Sequence, residues 1–580
     1  MPNISLANRS DNPINSILKI GEDLKKEYLL NNIIPKEFAQ NHRECLYHIH
    51  DLEFYDLTYN CIGISIDNII FEERVDESKD YCQIDFYHML RKLSRGIIDL
   101  TNRQSGGIGI INFDFDAAKY ITDETDEEIY DALHEFLIDL NLSTRKGCEK
   151  PYVTLNFGLD TSKNGRRVSI NLLNAFKTGF KSDYSRNKSQ NNLPFIFPNL
   201  VFKVKKDINL YDYSPNYDIY INALSVTAKR MIPTYLNCDS FLNHDLNSRD
   251  LGIMGCRTRL GKNINSRDGY LKDGAMNRGN IAAITINLVR IAYKTKKLFD
   301  QINKIVSLDK NIALDYFKKI LGETMDSAKR LLLHRYNYLK ENVDLSYVFS
   351  KKYYSALNDG SLSIGFIGLW DAISLLNDTL FLNKKDFEKS YADAYTIIEY
   401  MNNIISVYSE ETKLNFSLLA SSAEGVTGRF ASYDQENLYD VSENSFLCNF
   451  HGFYTNSFHV PVDVKINYRD KIDLEGPFHK LCTGGSITYV EFKEMPNKNI
   501  EAVQEVVEYA LEKDCNYIGI NFPLDSCLEC NFTGRIGNIC PNCSSKNIRR
   551  LRRVSGYLSD IDSFTVGKRK ELENRTNHCV

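Results

Sequence analysis

The stretch CLECNFTGRIGNICPNCSSKNIRRLRRVSGY, residues 527–557, decides the fold prediction for this chain. It opens with Cys527-Leu-Glu-Cys530 and, after nine intervening residues, Cys540-Pro-Asn-Cys543. Each two-residue gap suits one turn, and two such knuckles can place four thiolates tetrahedrally around one Zn²⁺. Four unrelated thiols rarely fall at this spacing. We therefore predict a zinc ribbon, and because all four ligands are cysteines the site is closed and its role structural.

The ribbon belongs to a C-terminal module that begins after Pro523. From there the chain has few core-type apolar runs and is rich in Cys, Gly, Asn and Arg. A module of this size needs a staple to stay folded, and the zinc site supplies one. We predict three units: a large body at 1–523, the zinc ribbon at 524–548, and a loop with the C-terminal tail at 549–580.

The body of the chain alternates between helical and strand-like patterns. Helical spacing of apolar residues predicts helices at 13–32, 387–409 and 500–511. Short apolar runs at 152–157 and 518–522 predict strands, and residues 281–291 are also strand-like. This alternation indicates an α/β architecture.

Composition narrows the functional classes. The 580 residues carry a formal net charge of -5, so there is no chain-wide basic footprint and we expect no nucleic-acid partner. No apolar run reaches transmembrane length and the start is unlike a signal peptide, so we expect a cytoplasmic protein with no membrane partner. Ten of the 14 cysteines lie outside the ribbon, and for each the default interpretation is a small buried apolar residue.

Beyond the ribbon, Ser555-Gly556 by itself indicates a turn. The string Arg553-Val-Ser-Gly556-Tyr, however, resembles the radical-bearing loop of glycyl-radical enzymes. Phe564-Thr-Val-Gly567 and Arg575-Thr-Asn-His578 resemble the final residues of anaerobic ribonucleotide reductases. With further matching strings along almost the whole chain, the sequence resembles the large catalytic subunit of the anaerobic (class III, glycyl-radical) ribonucleoside-triphosphate reductases.

The resemblance implies that Gly556 stores a radical, installed by a separate iron–sulfur activase that uses S-adenosylmethionine. Glycine suits this role chemically. Without a side chain its α-carbon radical can lie in plane with both flanking peptide groups and delocalise into them, whereas a Cβ would crowd that arrangement. Oxygen destroys such a radical, so anaerobic use is implied as well.

Two further strings resemble the thiyl site of the same family. Met254-Gly-Cys256-Arg-Thr-Arg259 resembles the tip of the family's finger loop, and the block from His48 to Cys61 resembles the strand opposite. On this resemblance Cys256 takes the radical from Gly556 and abstracts the ribose 3′-hydrogen. Cys61 protonates the departing 2′-hydroxyl and supplies reducing hydrogen.

The resemblance also implies residues beside the substrate. Asn280 matches an asparagine that faces the ribose, where it could hold a hydroxyl or position formate; the alternative is a turn residue after glycine. His48, His50 and Asn60 are implied to border the substrate. For the two histidines, a structural role is an equally good interpretation.

The implied fold is a ten-stranded α/β barrel of the ribonucleotide reductase and glycyl-radical type, with a central finger loop and the small C-terminal module. A homodimer and dNTP or ATP specificity effectors are implied too. The first catalytic-type helix begins by Asn12, which leaves no room for an N-terminal ATP-cone. We favour formate as the reductant, because Asn280 is present and no further C-terminal cysteine pair is free for a redoxin.

Three alternatives stay open at this point. Another glycyl-radical enzyme of the formate-lyase or diol-dehydratase type would share the loop at Gly556, although formate-lyases carry adjacent cysteines and this chain has no Cys-Cys pair. A zinc-ribbon nucleic-acid-binding protein would share the four cysteines but not the ordered strings. The basic cluster at 549–553 is interpreted as a solvated face or a set of salt bridges, with docking of the activase as a second hypothesis.

Overall fold

The computed structural model describes residues 13–70, 84–142, 150–180, 193–255, 257–266, 273–303, 312–343, 359–377, 379, 387–422, 424–438, 452–554 and 556–578. The described helices are α1 (Pro13–Asn32), α2 (Lys36–Arg43), α3 (Ile66–Ile70), α4 (Phe86–Thr101), α5 (Phe113–Ala118), α6 (Asp126–Asp139), α7 (Lys163–Thr178), α8 (Tyr217–Arg230), α9 (Leu288–Asn303), α10 (Ile312–Asn342), α11 (Leu369–Asn377), α12 (Phe387–Thr412), α13 (Val426–Asn437), α14 (Tyr468–His479), α15 (Ile500–Glu512) and α16 (Val566–Asn574).

The described strands fall into a large sheet and two small ones. They are β1 (Tyr47–Ile49), β2 (Cys61–Ile64), β3 (Ile108–Ile110), β4 (Val153–Phe157), β5 (Asn199–Val204), β6 (Thr234–Asn237), β7 (Ile253–Met254), β8 (Thr258–Arg259), β9 (Arg278–Asn287), β10 (Ser361–Ile367), β11 (Asn415–Ala420), β12 (Thr488–Glu491), β13 (Tyr517–Asn521), β14 (Leu524–Cys527), β15 (Thr533–Gly534), β16 (Ile548–Arg553) and β17 (Leu558–Asp560).

Ten strands of the large sheet run in the order β11-β10-β9-β2-β3-β4-β5-β6-β13-β12, and β1 pairs with β9 at the side. The strands from β2 to β6 are mutually parallel, as are β9, β10 and β11, and the neighbours β12 and β13. The two halves meet antiparallel at β9/β2 and at β13/β6. A bridge between Leu419 and Gly485 joins the two ends of the sheet. The predicted ten-stranded α/β barrel is therefore confirmed.

Helices cover the strands of the barrel, so most of the strands are buried along their whole length. All ten residues of β9 are buried, and so are all those of β4, β5, β10 and β11. Burial on both faces is usual for parallel strands. The helices that cover them present apolar faces, as α4 does with Met89, Leu93 and Ile97, all fully buried.

A hairpin formed by β7 and β8 runs through the barrel interior, in the place predicted for the finger loop. The Asn156 side chain on β4 donates to the Ile253 carbonyl and accepts from the Ile253 amide, at 3.0 and 2.8 Å. The approach of the hairpin to the barrel wall requires glycine, because a Cβ added to Gly107 would lie 2.6 Å from the Gly255 Cα. The finger loop is thus held by wall side chains at its backbone.

The C-terminal module is a four-stranded antiparallel sheet in the order β15-β14-β16-β17. It begins directly after β13 and continues across the predicted division at 548/549, so the ribbon and the segment that contains Gly556 share one sheet. That division stays a prediction. Residues beyond α16 return to the barrel, where the amide of Thr576 donates to Val462 and that of His578 to Glu491, both at 2.8 Å.

Within this sheet the basic cluster makes salt bridges. The Arg549 guanidinium contacts Asp560 at 2.8 Å, while Arg550 and Arg552 both contact the fully buried Asp525 at 3.2 and 2.6 Å. Arg553 points inward and is 2% exposed. The cluster therefore ties β14, β16 and β17 together, as the salt-bridge interpretation predicts.

The predicted helices at 13–32, 387–409 and 500–511 are confirmed within a few residues, and so are the two short strands. The strand predicted at 281–291 is wrong at its end, because β9 stops at Asn287 and α9 begins at Leu288. The cause is local. The Asn287 side chain accepts from the Arg290 amide at 3.2 Å and starts the helix. No described helix is long and apolar enough to cross a membrane.

Candidate active site

Cys61 lies at the start of β2, on the barrel wall that faces the finger loop. Its thiol donates to the Asn60 side-chain oxygen at 3.0 Å and accepts from the Gly107 amide at 3.3 Å. A Cβ added to Gly255 would lie only 3.7 Å from the Cys61 sulfur. The wall cysteine and the tip of the finger loop are therefore neighbours.

Cys256 itself lies outside the described residues, whereas Gly255 and Arg257 on either side of it are described. Gly255 has a φ of +59°, a conformation that favours glycine. Its carbonyl accepts from the Thr154 hydroxyl at 3.0 Å. On the other side the Arg257 guanidinium donates to the carbonyls of Ala420 and Ser421 at 3.1 and 3.4 Å. The tip is thus fixed to both halves of the barrel.

Gly556 lies in the turn between β16 and β17, and the tip of this hairpin is buried. The amide of Val554 donates to the Tyr557 carbonyl at 3.0 Å and closes the turn. The Gly556 carbonyl accepts from the Arg553 guanidinium at 3.3 Å and from the Asn199 side-chain amide at 3.5 Å. The same Asn199 nitrogen is 3.4 Å from the carbonyl of Gly255. One amide group therefore contacts both the hairpin tip and the finger-loop tip.

Two arginines hold the hairpin in the barrel. Arg553 donates to the Asn521 side chain at 2.8 Å and to the Met231 carbonyl at 2.6 Å. Arg575 reaches back from the tail and donates to the Arg553 and Val554 carbonyls at 3.1 and 3.4 Å. The turn that contains Gly556 is thereby clamped on both sides.

The side chain next to Gly556 completes the attachment. The Tyr557 ring contacts the rings of Tyr152 and Phe197, with centroids 5.1 and 6.0 Å away. Its hydroxyl donates to the Glu424 carboxylate at 2.6 Å. Aromatic packing with a satisfied polar end holds such a ring firmly.

Asn280 lies directly opposite Cys61 in the antiparallel register of β2 and β9. Its side-chain amide donates to the hydroxyls of Ser361 and Ser363 at 2.9 and 2.8 Å. The alternative interpretation of Asn280 as a turn residue is therefore wrong, because Asn280 is a buried strand residue, 2% exposed, with an ordered side chain. The structure also brings Asn60 here, because its oxygen orients the Cys61 thiol.

His48 lies in the short strand β1 and His50 directly follows that strand, with ring centroids 5.0 Å apart. Their side chains have hydrogen-bond partners other than Cys61 and Asn280. His48 Nδ1 is 3.0 Å from the Arg429 guanidinium, and His50 Nε2 is 2.7 Å from the Thr285 hydroxyl. Burial lowers the pKa of both rings, that of His50 to about 4. Both are therefore neutral at physiological pH.

The four ribbon cysteines lie together in the C-terminal sheet. Their sulfur atoms are all within 4.8 Å of one another, with 3.5 Å between Cys527 and Cys543 and 3.5 Å between Cys530 and Cys540. A tetrahedral zinc–thiolate site has sulfur–sulfur distances of roughly 3.8 Å. The cluster can therefore hold one zinc ion with little rearrangement.

Comparison with known proteins gives one consistent result. The sequence profile of the anaerobic ribonucleoside-triphosphate reductase family matches residues 5–578. This chain belongs to that family. The anaerobic ribonucleoside-triphosphate reductase of Escherichia coli (strain K12) is 28% identical over 626 residues, which cover 99% of this chain and 84% of that protein. The protein of the same name from Enterobacteria phage T4 is 25% identical over 627 residues, with coverage of 99% and 98%.

Solved structures agree on the fold. The crystal structure of the anaerobic ribonucleotide reductase from Thermotoga maritima in complex with dATP and CTP superposes with a TM-score of 0.72 at 16% identity. The match covers 95% of this chain and 91% of that one. Members of the reductase family are oxidoreductases. The family match covers the body of the chain as well as the ribbon, which decides against the nucleic-acid-binding and formate-lyase alternatives.

Some residues that build the site in this reductase family member had no assigned role from sequence. Asn199 and Thr154 stand in strings that resemble the family, but nothing local indicates that they contact the finger loop. Arg553 was part of a basic cluster and is instead a buried residue beside Gly556. The only sequence feature that points to a role for Asn199 is its position as a polar residue at the start of an apolar strand.

We expect thermal stability to fall as the pH is lowered from about 6.5 to about 4, and the substitution His50→Gln to lessen that fall. Between these pH values the His50 ring takes up a proton in the unfolded chain but not in the folded protein. Protonation therefore favours unfolding, so the stability present above the unfolded-state pKa of His50 is lost as the pH falls. The change for this one ring is at most about 3 kcal/mol. Scanning calorimetry from pH 4 to 8 measures it, with the exposed His88→Gln as control. Equal slopes in the parent and His50→Gln would contradict it.

We expect about one zinc ion per purified chain, because four thiolates form a closed tetrahedral site. Cys540→Ser should lose most of that metal and lower the protease resistance of the segment after residue 523. Inductively coupled plasma mass spectrometry measures the metal. Cys45→Ala, a buried cysteine outside the ribbon, is the control and should keep its zinc. Full metal content in Cys540→Ser would exclude the site.

Proposed function

We propose that this protein reduces ribonucleoside triphosphates to deoxyribonucleoside triphosphates by a glycyl and thiyl radical mechanism. The observation that carries the proposal is the Asn199 amide, which contacts the carbonyls of both Gly255 and Gly556. The glycine on the hairpin and the finger-loop tip next to Cys256 are thereby adjacent inside a closed barrel. Radical transfer between two such groups requires this adjacency.

In this mechanism Gly556 stores the radical. The hairpin tip is buried, which limits access by oxygen and solvent. Donors from Arg553 and Asn199 at its carbonyl support the delocalised form, in which the peptide oxygen gains electron density. Arg575 fixes the preceding carbonyls, so the turn keeps its orientation toward the finger loop.

Cys256 then gives its hydrogen atom to the Gly556 radical, and the resulting thiyl takes the 3′-hydrogen of the ribose. Loss of the 2′-hydroxyl as water requires a proton, which Cys61 supplies from the opposite wall. Its thiol is ordered by Asn60 and Gly107, so its hydrogen is held beside the fingertip. Positioning of this kind lowers the entropic part of the barrier.

Asn280 is proposed to face the ribose or the reductant. It lies opposite Cys61 and is fixed by Ser361 and Ser363, so the pair forms an ordered polar wall. His48, His50 and Asn60 are proposed to border the same substrate. The Nε2 atom of His50 contacts the Thr285 hydroxyl, which lies 2.5 Å from the Ser421 hydroxyl. This series of hydrogen bonds leads from His50 toward the start of α13.

Formate is the proposed reductant. One formate supplies two electrons and becomes carbon dioxide, so a ribonucleotide, formate and one proton yield a deoxyribonucleotide, carbon dioxide and water. Among the described residues outside the ribbon, the cysteines are buried and separate, and no pair is placed to exchange with a redoxin.

The partners follow from the same proposal. An activase with an iron–sulfur cluster and S-adenosylmethionine would install the radical, and Zn²⁺ would have a purely structural role in the ribbon. The Thermotoga maritima structure contains dATP and CTP, which supports nucleotide effectors and substrates for this chain as well. A homodimer and a cytoplasmic location complete the proposal.

We expect the protein, once activated anaerobically by its activase, to show the doublet signal of a glycyl radical in electron paramagnetic resonance. Gly556→Ala should show none, because a Cβ prevents the planar radical. Cys256→Ala should keep the doublet but form no deoxyribonucleotide, since storage and transfer use different residues. A doublet that persists in Gly556→Ala would refute the assignment.

We expect the activated protein to convert CTP to dCTP with formate at least about tenfold faster than with a reduced redoxin. Asn280→Ala should lower the formate-dependent rate, whereas Asn222→Ala, a partly buried asparagine on α8, should not. Chromatography of the nucleotides measures both, and trapping of ¹³C-labelled carbon dioxide confirms the electron source. Faster turnover with the redoxin would show that formate is the wrong reductant.

A further inference from the structure

One cavity is lined by residues of the finger loop, of the hairpin that contains Gly556 and of the C-terminal tail. Its volume is about 60 Å³. Arg257 of the finger loop, Arg553 of the hairpin, and Arg575 and His578 of the tail all line it, together with His459 and Glu491. At roughly 10–15 Å³ for one water-sized sphere, it has space for about four to six atoms other than hydrogen. A nucleotide is far too large for it.

The charges around this cavity do not balance. Lys471 pairs with Glu475, and Lys568 pairs with Glu571 at 2.7 Å. Arg575 contacts Glu571 at 2.9 Å and Glu491 at 3.6 Å. In the part of the chain that the structure describes, Arg257 and Arg553 have no carboxylate within 4.0 Å, although they are 1% and 2% exposed. Five cations therefore face three carboxylates, and buried charge without a partner is costly.

Three buried polar atoms of the lining have no hydrogen-bond partner in the described residues: Arg257 Nε, His459 Nε2 and Asn456 Oδ1. The first is a donor. Burial lowers the pKa of His459, so the ring is neutral, and its Nδ1 faces the Glu475 carboxylate at 3.4 Å. The proton therefore belongs on Nδ1, which leaves Nε2 as an acceptor, like the Asn456 oxygen. The cavity thus presents one unused donor and two unused acceptors.

We propose that this cavity binds a small oxyanion that carries a hydroxyl group, of the hydrogencarbonate or hydrogenphosphate type. Its negative charge offsets the two arginines without carboxylate partners, and one of its oxygens accepts from Arg257 Nε. Its O–H donates to His459 Nε2 or to Asn456 Oδ1, and a water can donate to the other. Both anions have four or five atoms other than hydrogen, which matches the volume.

The site connects the two loops that the reaction needs. Arg257 follows Cys256 on the finger loop, and Arg553 donates to the Gly556 carbonyl. An anion between them stabilises both arginines in their present positions. A bound anion therefore stabilises the finger loop and the hairpin that contains Gly556 in their present positions, whichever substrate is reduced.

The test uses the full-length protein before activation, with ¹³C-labelled hydrogencarbonate, inorganic phosphate and ¹³C-labelled formate as separate probes. Line broadening in ¹³C and ³¹P nuclear magnetic resonance gives each affinity, and thermal unfolding gives the stability. We expect saturable binding of hydrogencarbonate or phosphate, and the tighter of the two identifies the source. Formate lacks the hydroxyl, so it should bind to this cavity, as measured by the part of its binding that is lost in His459→Phe, at least about tenfold more weakly.

His459→Phe should weaken this binding at least about tenfold, because it removes the acceptor and fills the space. His244→Phe, at an exposed histidine outside the cavity, is the matched control and should bind as the parent does. Should His459→Phe unfold at a much lower temperature than the parent, Asn456→Leu replaces it. No saturable binding, equal affinity in the parent and the cavity variant, or formate binding that His459→Phe weakens as strongly as it weakens binding of the hydroxyl-bearing anions would each overturn the proposal.

Discussion

Two hairpin tips enter the interior of this barrel, and the backbone polar groups at these tips must be satisfied there. Buried peptide groups without partners are costly, so side chains take the place of a neighbouring strand. Asn156 and Thr154 do so for the finger loop, and Arg553 and Arg575 for the hairpin. Asn199 serves both loops with one amide. The two tips can lie side by side because side chains make the hydrogen bonds that a neighbouring strand would otherwise make.

Glycine is the second condition for that meeting. Wall and fingertip approach so closely at Gly107 and Gly255 that a side chain on the wall residue would overlap the fingertip backbone. The same closeness places the Cys61 sulfur beside the tip. The Cys61 thiol is therefore ordered by the backbone of the residues around it. The buried Arg257 guanidinium is held by the Ala420 carbonyl on β11.

Features encoded within a short stretch of sequence were predictable. The spacing of the ribbon cysteines is set by one turn in each knuckle, and the helices follow from apolar periodicity. The ten-stranded barrel was expected only from family resemblance, because pairings such as β2 with β9 join residues far apart in the chain. The end of β9 was missed since its apolar run continues into α9, and only the capping by Asn287 separates them. Contacts among residues 199, 255 and 556 leave no local pattern, so the role of Asn199 could not be predicted.

The small C-terminal sheet has a consequence for biosynthesis. Residues 524–578 leave the ribosome after every strand of the barrel, yet their hairpin supplies the buried tip at Gly556, and Thr576 and His578 then bind the barrel from outside. On the proposed function, the site is therefore completed only when these last residues have been synthesised. A chain truncated before residue 524 lacks Gly556, and with it the residue proposed to store the radical.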